Sequence, residues 1–503
     1  MRAGATGSFI TKGGWVLAAA LGLSYTGYVM LFAVDIPQGD EWGSVVPLVH
    51  SALHHGLGVN QLWIQYFNES HLLIPNAIFV AVGMWGHFDT RILIGLSALL
   101  QCASFLVLLG LFRAYFGRVV TAAPVILLGL SWLGLSGIDN ALWGFQIQIY
   151  LTEFFFLLSL LCLHLSFSGQ RRLPLLAGAL FFGLASSCST IQGLLIWPIG
   201  LFVILWVAPK SPRRLALWCG TAVVMAGLYL IGYNSAEARA GCFAVTTQVC
   251  SVTFGAHHLG SAIDYLLALL GNIVPATDRV AKTGGNVHVF GHQLLGAVVL
   301  LATIGVFVQS YRQHRSGSAT WVPPALIIFG LLWDVVIALG RVGEGLASAV
   351  SSHLSTPQTF LLSGILMSGL LELRQLREHD QPAGTWRIRA TWSALVALGF
   401  LVATVVVAST IVGDANAVNS RRTNQVAAQV VVNLGLLPPS VRPCYLDSSI
   451  DFSLVPESQM LKQLAPLLEY LRTDHLSVFG SQSEYQHYRK EGPPVFSFCD
   501  AKG

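Results

Sequence analysis

Charge is what this sequence has least of. Only 10% of its 503 residues are Asp, Glu, Lys or Arg, against 54% hydrophobic ones, whereas a soluble domain carries about 25% charged residues. That deficit excludes an ordinary soluble globular chain. The net charge of +4 is small and spread over many loops, so no basic surface points to nucleic acid. No internal repeat and no low-complexity run is visible. The first apolar run, beginning near Trp15, follows Arg2 and Lys12 but lacks a small-residue cleavage site, which predicts a retained first helix. What the chain does have is repeated apolar runs of about 20 residues, the length that spans a bilayer. Its thirteen Trp and thirteen Tyr suit a protein with many interfacial anchors.

Spanning candidates fall at 14–34, 91–112, 119–136, 143–167, 173–188, 191–208, 214–233, 293–311, 321–340, 358–376 and 391–412. Two further apolar stretches, 72–86 and 261–275, are too short to cross a core of about 30 Å at about 1.5 Å per residue. Basic residues decide the topology. Arg113/Arg118, Arg171/Arg172, Lys210/Arg213/Arg214, Arg312/Arg315 and Arg374/Arg377/Arg387/Arg389 join Arg2 and Lys12 as the cytoplasmic set under the positive-inside rule. The other loops hold only Arg239, Arg279, Lys282 and Arg341. Both sets fall on consistent sides only if 72–86 and 261–275 do not cross. The expectation is an all-α polytopic membrane protein of about eleven transmembrane helices. Its N-terminus would be cytoplasmic and its C-terminus outside, periplasmic or extracellular, in a bacterial inner (plasma) membrane.

Cysteine placement agrees with this. Cys102, Cys162, Cys188 and Cys219 lie in spans as small apolar residues. Cys242 and Cys250 share one outward loop, and Cys444 and Cys499 share the tail, which predicts two disulfides in an oxidising compartment. The expected organisation is a transmembrane domain over 1–412 and a small extracytoplasmic α/β domain over 413–503, stapled by the second bridge.

The outward loop over 35–90 carries the chemistry. It opens on Asp35 and then Asp40-Glu41-Trp42, and no Lys or Arg occurs between Lys12 and Arg91. Residues 43–57 predict an amphipathic helix with Val45, Leu48, Val49, Ala52 and Leu53 as its apolar stripe. Residues 72–86 predict a second helix on the membrane surface, preceded by Asn68-Glu69-Ser70-His71. Further on come Trp143-Gly144-Phe145-Gln146-Ile147-Gln148 and Ser189-Thr190-Ile191-Gln192-Gly193, followed by Trp197-Pro198. Gly340-Arg341 and Ser351-Ser352-His353-Leu354 complete the outward set.

In this order, over about 400 residues, these elements resemble the GT-C superfamily of membrane glycosyltransferases. The closer likeness is to bacterial members with a D-[DE]-W element, an N-E-H-R element, W-G-F-Q-x-Q, a Gly-Leu/Trp-Pro element and G-R … S-R-Y. Arginine is absent from two of the family's positions, with His71 and His353 at or beside them. Histidine is mostly neutral near pH 7 and is a weaker phosphate ligand than an arginine fork.

The resemblance implies an inverting glycosyltransferase that takes a sugar from a polyprenyl-phosphate carrier to a cell-envelope glycan or lipid. It implies Asp40 as base, with Glu41 second. Arg341 leads for the donor phosphate, ahead of Lys282, Arg279 and His353. Trp42, Asn68, Glu69, His71, Trp143, Gln146 and Gln192 are candidates for the acceptor and sugar. No cofactor beyond the lipid-phosphate sugar is expected. His50/His54 and His288/His292 show four-residue spacing, but without a third ligand they assign no metal. The alternatives are a lipid-linked glycan flippase or transporter, which would need deep polar residues and repeats, and a glycan polymerase or ligase, which would need basic outward loops.

Overall fold

The computed structural model describes residues 4–63, 70–116, 121–167, 172–233, 252–276, 286–315, 321–378, 385–436 and 466–490. No strand occurs among the described residues, which form an all-α bundle with several helices long and apolar enough to cross a membrane. Its principal helices are α1 (Gly4–Phe32), α2 (Val46–His54), α3 (Leu73–Gly86), α4 (Thr90–Phe116), α5 (Ala122–Trp132), α6 (Ile147–Phe167), α7 (Arg172–Ser187) and α8 (Ile196–Val207). They continue with α9 (Pro212–Leu230), α10 (Leu259–Leu270), α11 (Asn286–Arg315), α12 (Val322–Arg341), α13 (Thr356–Glu378), α14 (Thr385–Leu436) and α15 (Gln482–Lys490). Every expected span overlaps one of these helices. Six segments of the described residues are long and apolar enough to cross a membrane, and four more apolar helices are shorter.

The core is a packed bundle. Phe156 stacks on Phe329 with ring centroids 3.7 Å apart, and Phe360 meets Phe329 edge-on at 4.7 Å. These rings tie α6, α12 and α13 together. Leu157, Leu160, Leu326 and Trp132 surround them, all buried.

Among the described residues, contacts between helix ends fall into two groups at opposite ends of the bundle. At one end Arg214 donates to the Ser166 carbonyl (2.8 Å), Trp206 packs on His314 (4.5 Å) and His164 on Trp321 (5.5 Å). At the other end Asn140 donates to the His353 carbonyl (2.8 Å), Asn272 to the Ser351 carbonyl (2.7 Å), and the Ile191 amide to Ser70 Oγ (3.2 Å). The loop over 35–90 belongs to this second end.

The tail departs from expectation. The proposed boundary at 412/413 falls inside α14, which runs unbroken from Thr385 to Leu436. Hydropathy falls there, but backbone hydrogen bonding continues, because a helix leaving an apolar medium does not need to end. The described part of the tail, 466–490, is helical and folds back onto the loop that follows α1. Leu467, Leu468, Leu471, Leu476 and Val478 are buried with Trp42, Val45, Val49 and Phe79 in one apolar cluster. The Ser477 amide donates to the His87 carbonyl at 2.7 Å, and Arg91 pairs with Glu484. Residues 466–490 are thus a cover over the loop, not a separate unit.

Cys102, Cys162, Cys188 and Cys219 are free thiols. Cys242, Cys250, Cys444 and Cys499 lie outside the described residues.

Candidate active site

After α1 the chain makes a turn at Gln38-Gly39-Asp40, enters a single π-helical turn at Glu41–Val45, and continues directly into α2. The turn is held by the Trp143-Gly144-Phe145 element. The Trp143 indole N–H donates to the Gln38 carbonyl (3.0 Å), and Gln38 Nε2 donates to the Leu142 carbonyl (2.9 Å). Gly39 has φ +47°, and a Cβ there would stand 2.7 Å from Trp143 Cζ2. Glycine is required on both counts. A Cβ on Gly144 would meet Glu41 Oε1 at 2.7 Å. The two motifs are therefore two halves of one packed contact.

The three carboxylates differ sharply. Asp35 is buried at the start of α4, accepting from the Thr90 amide (2.9 Å) and from Ser477 Oγ (3.1 Å). Burial, then nearby Asp89, pushes it up to about 7. It caps a helix and anchors the tail. Glu41 is fully buried and accepts from the Gln38 amide at 2.7 Å, with the Phe145 amide also directed at it. Burial outweighs these amide bonds and pushes it up to about 8, aided by Asp35 and Asp40. A carboxyl that holds its proton at pH 7 is not a resting base. Asp40 alone is only half-buried, and among the described residues no donor is hydrogen-bonded to its carboxylate. Burial pushes it up and Arg341 pulls it down.

Arg341 ends α12 with a side chain 40% exposed, 3.7 Å from Glu344. It lies within electrostatic reach of both Asp40 and His353. Burial, then Arg341, pushes the His353 imidazole well below its ordinary value, so the ring is neutral at pH 7. Its Nδ1 shares a hydrogen bond with Ser351 Oγ at 2.7 Å. Asp40 and His353, more than 300 residues apart in the chain, thus both lie within electrostatic reach of Arg341. Asp334 does not pair with Arg341: its oxygens accept from Gln358 Nε2 at 3.2 Å inside the bundle.

The remaining candidates divide. Trp42 is 5% exposed within the apolar cluster, which leaves its ring no face for a sugar. His71 is 1% exposed, stacks on Trp63 (4.7 Å), donates through Nδ1 to the Trp63 carbonyl (2.7 Å), and donates its backbone N–H to Tyr229 Oη (3.0 Å). Its Nε2 has no partner among the described residues. Trp143 serves the turn. Gln146 is buried at the head of α6, and Gln192 is half-buried in the turn between α7 and α8. Asn68, Glu69, Arg279 and Lys282 lie outside the described residues. Two features escaped sequence reasoning. Glu153, inside α6, is 1% exposed with neither oxygen hydrogen-bonded among the described residues; a lone acid in a span was the available signal. Asp474 sits beside His50 and His54, a contact across more than 400 residues with no local signature.

No protein-family model and no curated protein matches this sequence. By structure the chain is similar to ArnT from Cupriavidus metallidurans bound to undecaprenyl phosphate, at 17% identity and TM-score 0.40, over 92% of this chain and 77% of that one. It is also similar to the archaeal oligosaccharyltransferase AglB from Archaeoglobus fulgidus, in complex with an inhibitory peptide and a dolichol-phosphate. That likeness has 13% identity and TM-score 0.44, over 87% of this chain and 60% of that one.

Proposed function

We propose that this protein is an inverting, membrane-embedded glycosyltransferase that uses a polyprenyl-phosphate sugar at the outer face of the membrane. The observation that carries this reading is that Asp40 and Arg341 lie within electrostatic reach of each other. One is a carboxylate without a hydrogen-bonded donor among the described residues, the other a half-exposed guanidinium. The order of motifs along the chain supports it independently.

The division of labour follows from charge. Asp40 takes the proton of the acceptor hydroxyl as its oxygen attacks the anomeric carbon. The bond from that carbon to the phosphate oxygen breaks on the opposite face. The electron pair leaves on the phosphate, whose charge Arg341 compensates. A phosphate monoester is already a good anion, so no strong acid is needed. His353, neutral, donates or accepts a hydrogen bond and adds no charge. Glu41 shapes the turn that aims Asp40.

The test is transfer from a radiolabelled polyprenyl-phosphate sugar to a glycan or lipid acceptor by the purified protein in lipid vesicles. Label in the acceptor supports the reading. Movement of the lipid-linked sugar across the vesicle without transfer would replace it with a flippase.

A further inference from the structure

Outside the proposed active site, one cluster joins the tail to the first outward loop. His50 and His54 stand one turn apart on α2, with ring centroids 4.6 Å apart. Asp474 follows the helical stretch 466–473 and reaches both. His50 Nδ1 lies 2.7 Å from Asp474 Oδ2, and His54 Nε2 lies 2.8 Å from Asp474 Oδ1. One ligand atom from each side chain fits within 4.8 Å of the others.

The surroundings fix these groups. Tyr470 stacks on His50 with centroids 3.7 Å apart and planes 6° apart, setting the imidazole's tilt. The Asp474 amide donates to the Tyr470 carbonyl (3.0 Å), and the Leu476 amide to the Leu471 carbonyl (2.9 Å), closing the turn that presents the carboxylate. The Asp474 side chain is 4% exposed, whereas those of His50 and His54 are 23% and 46% exposed. The carboxylate is therefore oriented and mostly dry, with two imidazole nitrogens facing it and an open side toward water.

We propose that His50, His54 and Asp474 bind a divalent transition cation of the zinc class, which fastens the tail to the outward juxtamembrane helix. Two imidazole nitrogens and one carboxylate oxygen are the donor set such ions prefer, and three protein ligands leave a fourth position for water. Magnesium and calcium prefer all-oxygen shells and fit this set poorly. Binding replaces the histidine–aspartate hydrogen bonds, and the lone pairs of neutral imidazoles take the ion, so any imidazolium proton is released to solvent. The site is independent of the proposed sugar transfer.

The test uses full-length, tag-free protein in detergent, stripped with a chelator and desalted. Zinc retained after dialysis is measured by elemental analysis, with the thermal transition followed in parallel. The wild type is expected to retain one zinc per chain more than the His54→Ala/Asp474→Asn double variant, and its transition is expected to rise with zinc. Each single variant is expected to weaken zinc binding about 10–100-fold. His54 is half-exposed and Asp474→Asn keeps its shape, so both variants are expected to elute as the wild type does. Equal zinc retention by wild type and double variant would overturn the proposal and leave only a hydrogen-bonded clasp. If the double variant does not elute as the wild type does, the single variants decide by the same comparison.

Discussion

Glu41 and Asp40 are adjacent carboxylates with opposite fates, and Glu41→Gln separates them. A Glu carboxyl ordinarily titrates near 4.5, and burial moves Glu41 to about 8. Between those values the folded chain keeps a proton that the unfolded chain has released. Folding stability therefore falls as pH rises through that window, and is flat below and above it. The slope is about 1.4 kcal/mol per pH unit, so the whole window is worth about 5 kcal/mol. Glutamine has no proton to lose. It keeps an oxygen for the Gln38 amide (2.7 Å in the wild type), but its NH2 group needs an acceptor, a cost of about 1–3 kcal/mol. At pH 8 the variant should be more stable than the wild type by about 2–4 kcal/mol. Below pH 4.5 it should be less stable by about 1–3 kcal/mol. Intrinsic tryptophan fluorescence during heating, at matched scan rates from pH 5 to 8, reads this directly. Asp35 contributes a similar fall up to about 7 in both proteins, so the informative quantity is the difference between the two curves. Parallel curves would refute the reasoning, because they would mean that Glu41 is ionised in the folded protein.

Three further outcomes follow from the same geometry. Gly144→Ala should cost about 1–3 kcal/mol of stability and lower transfer, because its Cβ would stand 2.7 Å from Glu41 Oε1; heating curves and transfer rates check both. Arg341→Gln should reduce transfer about 10–100-fold. It should also shift the acid limb of the pH–rate profile upward, since Arg341 holds the Asp40 carboxyl down; an unshifted limb would separate the two groups. In vesicles of defined orientation, a membrane-impermeant thiol reagent added outside should label Ser420→Cys and spare Lys210→Cys in a Cys219→Ser background. The reverse pattern would overturn the sidedness.

The helices were legible because a run of apolar side chains long enough to span a bilayer leaves the backbone no option but to bond internally. The expected sidedness rests on lysine and arginine being so sparse that each loop's content is decisive. Asp40 could be singled out only by resemblance; what sets it apart physically is the burial of Glu41 and Asp35, which depends on Trp143, Thr90 and Ser477 arriving from distant parts of the chain. Neither the Trp143–Gln38 bond nor the Asp474–His50 bond has a local pattern in sequence. The tail was misjudged for a related reason. A drop in hydropathy marks where a helix leaves the membrane, not where it stops, and α14 continues beyond 412. Trp42 is an acceptor or sugar candidate by resemblance, yet the apolar face that buries it is supplied partly by residues 467–478.

The most direct test of Asp40 as the base is the transfer rate of Asp40→Asn against Glu41→Gln at pH 7, with donor saturating. Asp40→Asn is expected to lose about 10²–10⁴-fold in rate with its fold intact, while Glu41→Gln stays within about tenfold of the wild type. Full activity in Asp40→Asn, or the larger loss in Glu41→Gln, would contradict the assignment.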